Sequence, residues 1–272
     1  MSKIQAEEVL EMFAEGEGLE SVNTSLALHL VELARDLGRD ALVGRLLDHA
    51  AKVSVNPEDQ GWCQFELLKH QRATKDELIG LGMTSEKEGL PGLAAGIFHH
   101  ISLLSLGSDD AAIFANRSMR LRDEAEDFEG MIYGHTLLAH IAKEEGNFEE
   151  SQLHLRKRLE LIPESEKFER MEAIADLAHS HSTLGDLEQA QALLIESLGI
   201  AMEIDDLSGV LVARWGLADL AEISNQPDEA MVQLSDVMTA FMNAGEAVPE
   251  LVRDRVSKFT VNSDVDTSNP SP

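Results

Sequence analysis

Residues 171–203 read MEAIADLAHSHSTLGDLEQAQALLIESLGIAME, and this stretch decides the fold. Its first half carries an apolar stripe at spacings of three and four residues, made of Met171, Ile174, Leu177, Ala178 and His181. Gly185 suits the left-handed backbone that ends a helix, and Asp186 suits the cap that begins another. A second stripe follows, made of Leu187, Ala190, Leu194, Leu198 and Ala201. The stretch therefore predicts two helices joined by a tight turn.

The same pattern occurs three times. Leu177-Ala178 is matched 39 residues earlier by Leu138-Ala139 and 40 residues later by Leu217-Ala218. The matching turn positions hold Gly146, Gly185 and Asn225. One such hairpin cannot bury its apolar face alone, so the pattern predicts a stack of hairpins.

This pattern resembles the tetratricopeptide repeat, in which a Leu-Ala/Gly pair, a turn glycine and a second-helix alanine recur in this order. The units are similar to the longer variety, of about 40 residues, found in kinesin light chains and some bacterial regulators. The resemblance implies an all-α fold, a right-handed α-α superhelix built as a solenoid of antiparallel helix hairpins. It is best from residue 90 to residue 243.

The sequence predicts four parts. Residues 1–82 hold degenerate helical repeats or a cap, and residues 90–243 hold the tetratricopeptide-like repeats. Residues 244–260 are predicted to form a C-terminal capping helix, and residues 261–272 a disordered tail. The glycine- and proline-bearing residues 82–92 predict a turn-rich joint between the first two parts.

The charge balance is strongly acidic, with 50 Asp and Glu against 22 Lys and Arg and a formal net charge of −28. A field of this sign repels phosphate, so nucleic acid and anionic membranes are excluded as partners. A basic segment of a protein or peptide would be attracted. The simpler interpretation, which we favour, is that the acidic residues keep a long helical surface soluble.

Compartment is predicted from what the sequence lacks. Cys63 is the single cysteine, so no intrachain disulfide can form, and the first residues lack the apolar run of a signal peptide. Residues 89–108 contain no charged side chain and are long enough to span a bilayer, but they include Pro91 and two histidines. We interpret them as a buried helix of the stack, and predict a cytoplasmic protein.

The ten histidines suggest a metal site, yet no His-Glu-x-x-His motif or Cys–His cluster is present. His140, His179 and Asp219 take equivalent positions in successive repeats, where side chains lie about 10 Å apart, too far to share one ion. His181 lies on the apolar stripe and is predicted to be a hydrogen-bonded core histidine. We therefore predict no catalytic residue, no metal and no cofactor.

The resemblance also implies which residues face the concave groove of the stack. They are Tyr133, Thr136, His140 and Lys143, then Glu172, Ala175, His179 and Ser182, then Val212, Trp215, Asp219 and Glu222. Tyr133 and Trp215 are candidate anchors for a partner, although ordinary packing between repeats is favoured for Trp215. The Lys/Asn/Arg cluster with which some members grip a chaperone's carboxyl terminus is missing, since only Lys143 is basic here.

These observations predict a non-catalytic scaffold or adaptor that binds a peptide or protein partner in the concave groove. The alternative is a sensor or regulator in which a ligand or peptide changes the curvature of the stack. A metal-binding enzyme that uses the histidines is a distant third. The sequence does not predict an oligomeric state.

Overall fold

The computed structural model describes residues 10–13 and 18–266, and within them only helices and connecting turns occur. The helices are α1 (Thr24–Asp36), α2 (Asp40–Val53), α3 (Pro57–His70), α4 (Lys75–Lys87), α5 (Pro91–Leu104), α6 (Asp110–Glu124), α7 (Phe128–Glu144), α8 (Phe148–Leu161), α9 (Lys167–Thr183), α10 (Leu187–Glu203), α11 (Leu207–Ile223), α12 (Pro227–Asn243) and α13 (Glu250–Asp266). The prediction of an all-α helical-repeat fold is confirmed.

The chain divides into two compact units, with the boundary between Phe128 and Glu129. In unit 1, which ends at Phe128, α1 packs on α2, α3 on α4, and α5 on α6. The first helices of these hairpins also contact each other, α1 with α3 and α3 with α5. Such contact between successive first helices is how a stack of hairpins buries the face that one hairpin leaves open.

Unit 2, which begins at Glu129, repeats this arrangement. Helix α9 pairs with α10, α11 pairs with α12, and α9 also contacts α11. Alanines at the matched positions are fully buried, namely Ala178, Ala190, Ala218 and Ala230. A side chain of one methyl group lets two helix backbones approach closely, and the apolar stripes then fill the space around the contact.

The predicted turn chemistry is present in unit 2. Gly185 has φ +82° and Asn225 has φ +58°, so both residues adopt the left-handed backbone that ends a helix. The Asp186 carboxylate accepts a hydrogen bond from the backbone N–H of Gln189 and caps α10. Pro227 occupies the first turn of α12, where its missing N–H costs nothing.

The predicted joint at residues 82–92 is largely helical instead. Helix α4 continues to Lys87, and the turn is confined to the next three residues, with Gly89 at φ +76°. Gly82 lies inside α4, where an added Cβ would lie 2.9 Å from the Phe98 ring. This glycine therefore serves close packing between α4 and α5 and does not break the helix.

The predicted boundaries near residue 250 also shift. Gly245 ends the preceding segment with φ +74°, and the chain stays non-helical until after Pro249 because the residue before a proline is disfavoured in the α conformation. Helix α13 then runs from Glu250 to Asp266, beyond the predicted end of the capping helix at residue 260. Of the predicted disordered tail, residues 267–272 lie outside the described part of the chain.

The uncharged stretch of residues 89–108 forms α5 and the turn that follows it. Phe98, Ile97 and Ile101 are fully buried in unit 1, as expected for a helix of the stack. In the described residues, no helix combines the length and the apolarity needed to cross a bilayer.

Two glycines of α4 give a test of the packing between α4 and α5. We expect Gly82→Ala to destabilise the protein by about 1–3 kcal/mol, because the new methyl group would press on Phe98 and Ile97. Gly80→Ala is the matched control: its Cβ would meet nothing within 4 Å, so it should raise stability by up to about 1 kcal/mol through helix propensity. Urea unfolding of both variants measures the difference, and equal midpoints would contradict close packing at Gly82.

Candidate functional site

Of the twelve residues predicted to face the groove, all except Ala175 and Val212 were predicted to contact a partner, and the structure places these ten on first helices of unit 2. Tyr133, Thr136, His140 and Lys143 lie on α7, Glu172, His179 and Ser182 on α9, and Trp215, Asp219 and Glu222 on α11. Eight of these side chains are exposed, while Ser182 and Trp215 are half-buried. Except at those two positions, the side chains of this face are therefore not part of the hydrophobic core.

Four of the ten residues converge on one cavity. Helices α7, α8 and α9 enclose about 210 Å³, which we call the unit-2 cavity, and Thr136, His140, Lys143 and His179 line it. Lys143 Nζ lies 3.4 Å from His179 Nε2, so the ammonium can donate a hydrogen bond to a neutral imidazole. Residues 36 positions apart in the sequence are thus joined across neighbouring first helices.

Other lining residues were not foreseen from the first-helix pattern. Helix α8 supplies Phe148, Ser151 and Leu155, and α9 adds Asp176. Leu155 belongs to the buried apolar cluster of unit 2, so part of the cavity wall is apolar. Arg158 Nη1 of α8 donates to the Asp176 carboxylate. Lys143, the other charged residue of the lining, contacts His179, and the described contacts pair it with no carboxylate.

The cavity offers both donors and acceptors. Lys143 carries N–H donors, whereas the hydroxyls of Thr136 and Thr183 already donate to the backbone carbonyls of Ile132 and His179. Their oxygen lone pairs are therefore left as acceptors toward the cavity. A polar side chain of a partner could hydrogen-bond to these groups, and its short apolar stem could contact the apolar part of the cavity wall.

The predicted residues of α11 have a different environment. The Arg255 guanidinium of α13 lies 4.3 Å from the Trp215 ring centroid, within the range of a cation–π contact. Arg255 Nη2 lies 2.7 Å from Asp219 Oδ1, and Arg255 Nε donates to Glu222 Oε1 over 3.1 Å. We call Trp215, Asp219 and Glu222 the arginine clamp. Helix α13 thus covers this part of the predicted surface.

Three predicted residues join neither group. Tyr133 is 59% exposed, Glu172 is also exposed and Ser182 is half-buried, and none of them lines the unit-2 cavity. Trp215 packs beside Ala218 and Val256 in a small apolar cluster, which agrees with the packing role that was favoured for it. The predicted surface therefore contains one open cavity and one clamp occupied by Arg255, and Tyr133, Glu172 and Ser182 lie outside both.

Two of the described histidines contact each other. His135 Nδ1 lies 3.0 Å from His154 Nδ1 between α7 and α8, and no group of three metal-ligating side chains occurs among the described residues. Burial, and then the neighbouring His154, lowers the pKa of His135 to about 4. His181 is buried and its Nδ1 lies 3.0 Å from Asp186 Oδ2, so it is a hydrogen-bonded core histidine as predicted.

Comparison with known proteins identifies the fold. No family model matches the chain, and no curated protein matches it in sequence. A solved signal-transduction ATPase with a tetratricopeptide repeat sensor, from Pyrococcus horikoshii, superposes with a TM-score of 0.56 at 12% identity, over 90% of this chain and 43% of the ATPase chain. BtubC (BKLC) from P. vanneervenii gives a TM-score of 0.49 at 14% identity, over 91% of both chains.

The fold is therefore that of a tetratricopeptide-like helical-repeat protein, as the repeat pattern predicted. The chain spans less than half the length of the ATPase that it matches. At these identities the likeness concerns the fold alone.

The buried histidine pair predicts a pH-dependent stability. Unfolding returns His135 from a pKa of about 4 to its ordinary 6.5, so the unfolded chain binds the extra proton between these values. Stability therefore falls as the pH is lowered from 6.5 to 4. We expect His135→Gln to flatten this fall, as measured by urea unfolding at several pH values. The exposed His140→Gln is the control, and equal pH slopes for both variants would contradict the assignment.

Proposed function

We propose that this chain is a non-catalytic scaffold that binds a peptide or protein partner through the first-helix surface of unit 2. The observation that carries the proposal is the convergence of Thr136, His140, Lys143 and His179 on the unit-2 cavity. These side chains come from separate repeats, are exposed, and are not needed to fill the core. Polar residues held by a rigid stack in this way are suited to recognition.

The size of the cavity favours a side chain of a partner over a whole small molecule. Its volume is about 210 Å³, below the range of roughly 300–1,000 Å³ that is usual for pockets enclosing drug-sized ligands. A single residue of a peptide fits this space, and the exposed surface of the neighbouring first helices is available to the rest of that peptide.

The lining chemistry supports binding over catalysis. Arg158 Nη1 donates to the lining carboxylate of Asp176, and no hydrogen bond joins Asp176 to His140 or His179 in the described contacts. A general acid–base pair needs its two groups within hydrogen-bond reach of each other or of a substrate proton. The contact that does form, Lys143 to His179, joins two groups that both favour binding of a polar or anionic atom.

The net charge of −28 supports a partner with a basic segment, which would be steered toward this chain at low ionic strength. The same charge argues against nucleic acid as the partner. We place the protein in the cytoplasm, where the buried thiol of Cys63 would remain reduced.

A ligand-responsive regulator is the second candidate. It is favoured by the pairing of Lys143 with His179 inside a cavity shared by three helices, because an anion bound there would contact α7 and α9 at once. This candidate predicts that a small anion alone changes the curvature of the helix stack. The scaffold candidate requires a peptide or protein as its ligand.

Affinity capture from native lysate tests the scaffold. We expect a protein retained by the wild type to be lost from the variant His140→Ala/Lys143→Ala/His179→Ala, because the polar lining of the cavity is removed. The matched control is Arg156→Ala/Lys157→Ala/Glu160→Ala, three exposed residues of α8 outside the cavity with the same net charge change. Circular dichroism first establishes that both variants are folded.

The retained protein is then purified, and its affinity for each variant is measured directly. A loss of at least about tenfold, or 1.4 kcal/mol, confined to the cavity variant supports the proposal. Equal binding by the cavity variant and the control would place the interaction elsewhere.

A further inference from the structure

We propose that the arginine clamp is a receptor for an arginine-bearing helix of a partner, and that Arg255 of α13 occupies it when the partner is absent. The proposal rests on the scaffold function and names the chemistry of one part of the partner. That part is an amphipathic helix that presents one arginine at the edge of its aliphatic face. The clamp lies entirely within unit 2.

The clamp has the geometry of a specific arginine site. Trp215, Asp219 and Glu222 are spaced by four and three residues, so they share one face of α11. Arg255 Cζ lies 4.3 Å from the Trp215 ring centroid, while Asp219 and Glu222 accept hydrogen bonds from the guanidinium N–H groups. A ring contact combined with hydrogen bonds to two separate carboxylates favours a guanidinium, which has five N–H donors in a fixed geometry, over the ammonium of a lysine.

The bound arginine is itself well covered. The Arg255 side chain is 14% exposed, while the two carboxylates remain 50% and 43% exposed. Desolvation of the guanidinium against the ring strengthens the cation–π contact relative to one in open solvent. The clamp is therefore a formed binding site, and Arg255 shows how it is filled.

Helix α13 is an incomplete ligand for this site. Arg255 Nη1 is buried without a hydrogen-bond partner, so part of the guanidinium is desolvated without compensation. Beyond Arg255, Val252 is fully buried and Val256 packs beside Trp215, whereas Leu251 is 50% exposed. A partner helix that also satisfies the remaining N–H groups would compete effectively with α13.

The sequence of α13 defines the pattern that the clamp selects. Val252 precedes the arginine by three residues and Val256 follows it directly, so both valines lie on the packed face of the helix beside the arginine. The net charge of −28 attracts a partner that carries such arginines. The clamp thus gives the basic segment of a partner a definite docking position.

The competition with α13 decides how the site must be tested. A tethered segment has an effective concentration on the order of millimolar, so a peptide added to the wild type has to overcome that occupancy. Arg255→Glu removes the competitor, because its carboxylate would be repelled by Asp219 and Glu222 while the clamp itself is unchanged. Arg253→Glu is the matched control, with the same charge change at an exposed position of the same helix.

The probe is a fluorescently labelled peptide with the sequence of residues 248–258, titrated against the full-length chain and followed by anisotropy. We expect the Arg255→Glu variant to bind this peptide at least tenfold more tightly than the wild type or Arg253→Glu. A peptide with alanine in place of its Arg255 should lose at least tenfold, and one with lysine there should also bind more weakly. Adding Asp219→Asn and Glu222→Gln to the Arg255→Glu variant should abolish the gain.

The proposal is overturned if Arg255→Glu and Arg253→Glu bind the peptide equally, or if the alanine peptide binds as well as the parent. The proposal also fails if the Arg255→Glu variant does not bind the peptide but self-associates in light scattering. The occupant of the clamp would then be a second copy of this chain. Unfolding midpoints establish that both variants are folded. Loss of this proposal leaves the scaffold function standing if the cavity variant still loses its captured protein.

Discussion

Close contact between the first helices of successive hairpins is the constraint on which the rest of the structure depends. Each hairpin is stable only when its apolar face is covered by the next, so the backbones must approach at a few small residues. Ala178 and Ala218 meet this need in unit 2, and Gly61 of α3 and Gly96 of α5 meet it in unit 1, where an added Cβ would clash with Leu93 and Trp62. The same contact places exposed side chains of neighbouring first helices beside one another, as Lys143 and His179 demonstrate.

The fold was predictable because the relevant signals are local and repeated. The stripe through Leu177 and Ala178, the left-handed Gly185 and the cap Asp186 each specify one feature of a hairpin, and their recurrence specifies the stack. Gly82 misled the sequence interpretation because a glycine that ends a helix and a glycine that permits close helix packing look the same in sequence. Only the neighbouring ring of Phe98 distinguishes them.

The candidate site was only partly predictable. The resemblance to tetratricopeptide repeats implied that Thr136, His140 and Lys143 face outward, and all three side chains are exposed. The contributions of Phe148 and Leu155 depend on how α8 packs, and the coverage of Trp215 depends on where α13 lies. Such contacts join distant parts of the chain, and no local pattern encodes them.

The position of α13 at one side of α12 and α11 has a consequence for how unit 2 opens. In a stack where each helix pair interacts with its neighbours, free energy is approximately a sum of nearest-neighbour interfaces. Release of α13 would break its own interface and leave those among α9, α10, α11 and α12 intact. Amide protons of α13 should accordingly exchange through local opening, at a free energy well below that of global unfolding. The arginine clamp can thus be exposed without melting the helices that form it.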